Sequence, residues 1–383
     1  MTRPPSSALA AGLLASFVAY ASSFSVILQG LRGAGASEAE AAAGLMALSV
    51  IMGITGIVMC WRSRLPLSIA WSTPGAALLA SAGSPSGGFA VAVGAFLVAG
   101  ALMLLAGLVR PLGRLVTRIP LSLASAMLAG ILLPLCLAPV RALASEPWAA
   151  LAIAGTWLLV GLWKRMFAVP AAALVAFGII ASTGPGVANG AALGIPQPVF
   201  VVPEFTAAAI LGLGVPLFLV NMASQTIPGI AVMRVNGYDP DPGSIFSGTG
   251  LATILSAPFG GHAVNLAAMT AAICAGDEAG PDRDRRWWAG VVSGMAYIVF
   301  GLSAGTITAF AAQNPLLVQA IAGLALIGAL SASLNAAMAK PGEREAATLC
   351  FLVTSSGTVF FAISAPFWGL LAGGAMLLLQ RRR

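Results

Sequence analysis

Two stretches of this 383-residue chain set proline, glycine and small hydroxyl side chains inside otherwise apolar sequence. The first runs from Ile69 to Leu79 and contains Trp71, Ser72, Thr73, Pro74, Gly75 and Ala76 in succession. Pro74 has no amide hydrogen and biases Thr73 toward extended backbone, while a small hydroxyl residue just before proline is the pattern of a helix start. The expectation is extended chain over residues 67–72 and a half-helix over Thr73–Ala82. Near the middle of a membrane, such a start turns unpaired amide hydrogens and the positive end of the helix dipole toward a low-dielectric space, which makes an anion site. The second stretch, Ser256 to Asn265, places Pro258, Phe259, Gly260 and Gly261 ahead of His262. It reads as a second half-helix with His262 in its first turn. Interrupted apolar segments in both halves of a polytopic chain point to a transporter site between inverted repeats.

His262 is the single histidine, and it has two readings. It is either a hydrogen-bonded spacer between helices or a contact for substrate and proton, because histidine can change charge near neutral pH and ionisable groups inside membranes are costly to keep without a function. A helix N-terminus disfavours its protonated form and a bound anion restores it, so anion and proton can enter together. Tyr20 and Ser23 on the first apolar segment, Asn221 and Gln225 on the eighth, and Asn265 recur at helical spacings. Serine hydroxyls there also serve ordinary interhelical hydrogen bonding, at about 1 kcal/mol each. Asn221 and Gln225 cost more to bury and are read as ligand contacts. Tyr20, Trp71 and Phe259 can wall a flat ring, or simply pack.

The elements that must hold these residues are membrane spans. The chain is 59% hydrophobic and 8% charged, with a mean hydropathy of +0.95, outside the range of a soluble domain of this length. Segments long enough to cross lie near 9–30, 41–60, 66–84, 88–109, 119–139, 147–163, 167–184, 206–231, 243–255, 257–275, 287–310, 314–334, 345–360 and 362–380. Residues 1–7 are too short for a cleavable signal, so the first segment is read as a retained span. With the N-terminus inside, fourteen crossings put 17 of the 19 lysines and arginines on the cytoplasmic side; only Arg32 and Arg141 fall outside. The expected fold is an all-α polytopic membrane protein of fourteen spans, a seven-plus-seven inverted repeat with short extended segments in spans 3 and 10 and both termini cytoplasmic. None of the twelve acidic residues falls at the centre of a span, which favours an anionic ligand over a cation. Cys60, Cys136, Cys274 and Cys350 lie singly without metal-ligand spacing, and no metal or cofactor is expected.

At this point the residues resemble a known family. Ala70 to Leu78, with the polar first span and Phe259 to Leu266, look like the BenE benzoate/proton symporters, which are similar in architecture to the uracil and nucleobase-ascorbate transporters. The resemblance covers nearly the whole chain. It implies a core domain from spans 1–4 and 8–11 (residues 1–109 and 205–310) and a gate domain from spans 5–7 and 12–14 (residues 110–204 and 311–383). It also implies a homodimer working by an elevator-like movement in the inner membrane. The substrate-binding acids of the nucleobase transporters are replaced here by Asn221 or Gln225 and by His262 or Asn265. A neutral nucleobase uses a carboxylate acceptor, whereas a benzoate is repelled by one.

The expected function is therefore import of a small aromatic carboxylate with a proton. The carboxylate would sit between the starts at Ser72, Thr73, Gly75 and Ala76 and at Phe259, Gly260, Gly261 and His262. The ring would lie against Tyr20, Trp71 or Phe259, with Ser23, Asn221, Gln225 and Asn265 fixing orientation. Another small organic anion, or uniport, is the nearest alternative. A passive channel is a third. An intramembrane enzyme lacks a catalytic motif in this sequence.

Overall fold

The computed structural model describes residues 4–109, 120–183, 194–361 and 363–380. The basic residues Arg3, Arg110, Arg114, Arg118, Arg381, Arg382 and Arg383, and the expected segment starts at 119 and 362, lie outside the described residues. The fold is mostly helical, and each of the fourteen expected segments contains helix. In order these are α1 (Ser6–Gly33), α2 (Glu38–Ser63), α3 (Thr73–Ala82), α4 (Phe89–Leu108), α5 (Leu121–Cys136) with α6 (Ala138–Ser145), α7 (Pro147–Trp163) and α8 (Ala168–Thr183). The second half holds α9 (Ala207–Val235), α10 (Pro242–Ser256), α11 (Ala268–Ala275), α12 (Trp287–Leu302) with α13 (Ala304–Gln313), α14 (Pro315–Met338), α15 (Arg344–Ser355) and α16 (Ala365–Gln380). Among the described residues seven helices are long and apolar enough to cross a membrane, or eight if α12 and α13, bent by 56°, form one span.

Local chemistry sets several boundaries. Ser37 and Glu40 form a reciprocal capping box that starts α2. Asp241 caps α10 and Asn314 caps α14, each followed by a proline in the first helical turn. Two π-turns, Ile210–Gly214 and Met222–Thr226, interrupt α9, the second of them next to Asn221.

Packing falls into two sets. α2 runs along α12, α4 along α10, and α1 against α3 and α12; separately, α5 packs on α14 and α15, α15 on α16, and α7 on α8. Close approach is bought with glycine: a Cβ on Gly53 would lie 2.5 Å from the Gly294 carbonyl oxygen, so α2 and α12 meet backbone to backbone.

The only sheet among the described residues is two short antiparallel strands, β1 (Ile69–Trp71) and β2 (Val264–Leu266), entirely buried. Ile69 pairs with Leu266, Ala70 with Asn265 and Trp71 with Val264. The ladder continues at both ends, where the Ser72 amide donates to Ala263 O (3.0 Å) and the Ala267 amide to Ser68 O (2.9 Å). Buried backbone polar groups of interrupted segments must find partners inside the protein, and each strand supplies them for the other.

The second half-helix starts later than its sequence indicated. Ser256, Pro258 and the glycines do not begin a helix; Ala257–Phe259 is a 3₁₀ turn continuing from α10, closed by Gly260 in the left-handed conformation at φ 88°. Strand β2 follows, and the helix begins only at Ala268. His262 accordingly lies in the connection between the 3₁₀ turn and β2, outside any helical first turn.

Candidate functional site

α3 begins as its residue types dictate. The Ser72 hydroxyl accepts from the Gly75 amide at 3.1 Å, and Pro74 removes another donor. That leaves Thr73, half-buried, as the residue of this helix end with donors to offer, since its hydroxyl takes no part in any hydrogen bond among the described residues. Gly75 has no space for a side chain: a Cβ would sit 2.6 Å from Leu217 Cδ1 and 2.9 Å from Ser72 Oγ. Ala76 is fully buried against Gly30 of α1.

α11 begins differently. Its N-cap residue is Ala267, which has no side chain to cap with, and the amides of the first turn, Ala268, Met269 and Thr270, are left without an intrahelical acceptor. Ala267 and Ala268 are half-buried and Met269 is 70% exposed, so the protein covers this helix end only in part. The Thr270 hydroxyl accepts from Ser68 Oγ at 2.6 Å, tying the start of α11 to the strand before α3. Sequence reasoning missed Ser68 and Ala267 to Thr270. An uncapped helix start carries no residue signature, and only the pairing of β2 with β1 reveals it.

Tyr20, Ser23 and Trp71 come together. The Trp71 indole N–H donates to Ser23 Oγ at 2.8 Å, Ser23 Oγ donates to the Ala19 carbonyl at 2.6 Å, and the Tyr20 and Trp71 rings lie 4.9 Å apart. The Tyr20 hydroxyl reaches the Phe300 carbonyl at 3.3 Å. Beside Tyr20 is a wholly apolar pocket of about 210 Å³ lined by Phe17, Phe24, Leu174, Phe177 and Phe300 among others. Phe177 of α8 stacks on Phe24 of α1 at 5.6 Å, so two of the packing sets meet at this pocket. It has the chemistry to take a flat apolar ring.

The polar residues of the second half form a buried knot. Asn221 Nδ2 donates to the Val264 carbonyl at 3.1 Å, and Asn265 Nδ2 donates to Asn221 Oδ1 at 3.0 Å; both side chains are fully buried. Asn265 Oδ1 has no partner. Gln225, in the π-turn, is half-buried. His262 is fully buried, and its Nε2 lies 2.9 Å from the Ser72 carbonyl oxygen. A carbonyl only accepts, so Nε2 carries the hydrogen, and Nδ1 is left without a partner. The Phe96 ring stands edge-on at 6.3 Å. Among the described residues no group of three histidine, cysteine or acidic side chains could hold a metal ion.

Phe259, Gly260 and Gly261 are not brought to this centre. Phe259 packs on Phe200 at 5.7 Å, a Cβ on Gly260 would touch Gly44 of α2 at 3.1 Å, and one on Gly261 would run into Ser256. The proline and glycines turn the chain from α10 toward β2, and that turn lies against the start of α2 instead of the strand crossing. None of the twelve acidic residues is buried.

The family described as BenE, benzoate membrane transport protein, matches residues 3–379 of the chain. The sequence is 40% identical over 375 residues to the inner membrane protein YdcO of Escherichia coli (strain K12), covering 97% of this chain and 95% of that one. It is 33% identical over 372 residues to the benzoate membrane transport protein of Acinetobacter baylyi, covering 96% and 93%. In three dimensions it is similar to the transmembrane domain of the cyanobacterial bicarbonate transporter BicA, with a TM-score of 0.61 and 18% identity over 96% of this chain and 97% of that one. The murine anion transporter Slc26a9 in its inward-facing state gives a TM-score of 0.63 at 14% identity, over 99% of this chain and 68% of the other. At such identities the likeness is one of fold.

Proposed function

Because the chain belongs to the BenE family of benzoate membrane transport proteins, we propose that it imports benzoate or a related aromatic carboxylate together with a proton. Family membership makes it a multi-pass membrane transport protein and not an enzyme. One observation carries the anionic substrate: the start of α11 is uncapped and only partly covered by the protein, and none of the twelve acidic side chains is buried to compete for it. The carboxylate would take the amides of Ala268, Met269 and Thr270 across the strand crossing from Thr73, and Gln225 would supply an amide from α9. The ring would lie toward Tyr20 and the apolar pocket beside it. Ser23, Trp71, Ser72, Gly75, Ala76, Asn221 and Asn265 then shape and hold the site, and Phe259 to Gly261 set the turn that leads into it.

The proton belongs with His262, whose buried Nδ1 is free to accept one when an anion has entered. The fourteen segments are proposed as seven plus seven crossings of opposite orientation, with spans 3 and 10 each made of a short extended segment and a half-helix. The matched ends of the β1–β2 ladder support that symmetry. Residues 1–109 and 205–310 would form the core and residues 110–204 and 311–383 the gate, the two sliding in an elevator-like cycle within a homodimer. The termini would be cytoplasmic and the protein would sit in the inner membrane, as the name of the Escherichia coli relative indicates for that protein.

The test is uptake of radiolabelled benzoate into proteoliposomes, with and without an inward proton gradient, competed by salicylate, uracil and acetate. Gradient-dependent accumulation blocked by salicylate alone is the expected result. The His262→Gln variant should keep benzoate binding and lose the gradient dependence. Saturable uptake that ignores the gradient in the parent protein would reduce the reading to uniport, and competition by uracil would overturn the restriction to aromatic acids.

A further inference from the structure

A large cavity of about 850 Å³ lies away from the strand crossing. Its walls are the last turns of α1, α3 and α15 and the first turns of α14 and α16, together with α5 and α6. With the N-terminus inside, every one of these ends is on the outer side of the membrane. Arg32 and Arg141, the two basic residues that the charge pattern leaves outside, come from α1 and α6, more than a hundred residues apart, and both line this cavity.

Its polar groups are short of acceptors. Gln29 Nε2, Arg32 Nε and Thr354 Oγ1 are buried, line the cavity and have no hydrogen-bond partner; each has a hydrogen to donate. Glu38 is the acidic residue in the lining, and it is engaged through Oε2 with Arg32 Nη2 at 2.7 Å. Nearby Glu146 is held by Asn314 Nδ2 at 3.0 Å. Arg141 is exposed, and among the described residues no carboxylate pairs with it. The carbonyl ends of α1, α3 and α15 add some negative potential, which the amide ends of α14 and α16 oppose.

We propose that this cavity is an outer loading site for small carboxylates, anchored on the Arg141 guanidinium, with Gln29 and Arg32 as the next donors inward. Gln29 sits one residue before Gly30, whose backbone packs against Ala76 of α3, so the donor row leads from the mouth toward the half-helix. A cavity this large holds a benzoate-sized anion loosely. Its effect is to raise the anion concentration at the mouth, an electrostatic gain that salt screens within about 8 Å at physiological ionic strength. The inference rests on the transport reading above for its purpose, and on the free donors for its chemistry.

The experiment pairs uptake kinetics with equilibrium binding of radiolabelled benzoate, in the parent protein and in Arg141→Gln and Arg141→Lys. Arg141→Gln should raise KM by about threefold to tenfold at low salt, leave kcat unchanged and flatten the salt dependence, while Arg141→Lys behaves as the parent. Binding to the parent should show a tight and a weak class of site, with only the weak class lost in Arg141→Gln. A parent without the weak class, or a weak class that persists in Arg141→Gln, overturns the loading site. A parent that binds benzoate in both classes but never accumulates it overturns the transport reading and leaves the loading site standing.

Discussion

The two strand–helix elements that cross at the middle of the protein are built alike and finished differently. β1 leads into α3 and β2 into α11, and the strands satisfy each other's backbone. At α3, Ser72 caps Gly75 and Pro74 deletes a donor, so the helix end is mostly self-satisfied. At α11, alanine stands at the cap and the first-turn amides are open. A conspicuous helix-start motif thus marks the end that has least left to offer a ligand. The plain end has the most, because every donor a side chain satisfies is one an anion cannot use.

The largest effect should come from closing the open end. Ala267→Asp supplies a carboxylate cap where the substrate carboxylate is expected, placing like charges side by side at a cost of a few kcal/mol, or roughly a hundredfold in benzoate affinity. The same residue change favours the helix, so thermal unfolding in detergent should hold or rise. Benzoate binding unchanged in this variant would mean that α11 is not the anion end.

A smaller effect belongs to the pin between the two elements. His262→Ala removes one of the two donors to the buried Ser72 carbonyl, the Ala76 amide at 2.9 Å being the other, and should destabilise the protein by about 0.5–1.5 kcal/mol, read as a lower unfolding temperature. His262→Gln, which retains a donor, should recover part of that loss. An unfolding temperature that does not move in His262→Ala would show that the contact contributes nothing to holding β1 and β2 together.

The smallest is at the capped end. Ser72→Ala removes the cap from Gly75 and should cost about 1 kcal/mol of stability while benzoate affinity stays close to that of the parent. A loss of affinity as large as that of Ala267→Asp would reverse the comparison and return the carboxylate to α3.

Much of the arrangement was legible in the residues. The helix over Thr73–Ala82 has the bounds its sequence indicated, since a serine cap and a proline in the first turn act locally whatever surrounds them. Tyr20, Ser23 and Trp71 meet as their residue types allowed. The start of the second half-helix was not legible. Pro258 and Gly260 signal a helix end as readily as a helix start, and at Ala267 the sequence is silent. Asn221 and Asn265 were read toward a ligand, and the structure joins them to each other and to the β2 backbone. A buried amide side chain is satisfied by whichever partner the fold presents, which spacing along one helix cannot reveal.

The sequence by itself determined that this is a polytopic membrane protein with interrupted segments in both halves, because hydropathy and proline act residue by residue. Only the tertiary structure decided which helix end is open, that His262 holds the backbone of Ser72, and that Arg32 and Arg141 share one cavity. Those facts depend on which distant strand or helix end supplies the missing hydrogen bond, and that is settled by packing.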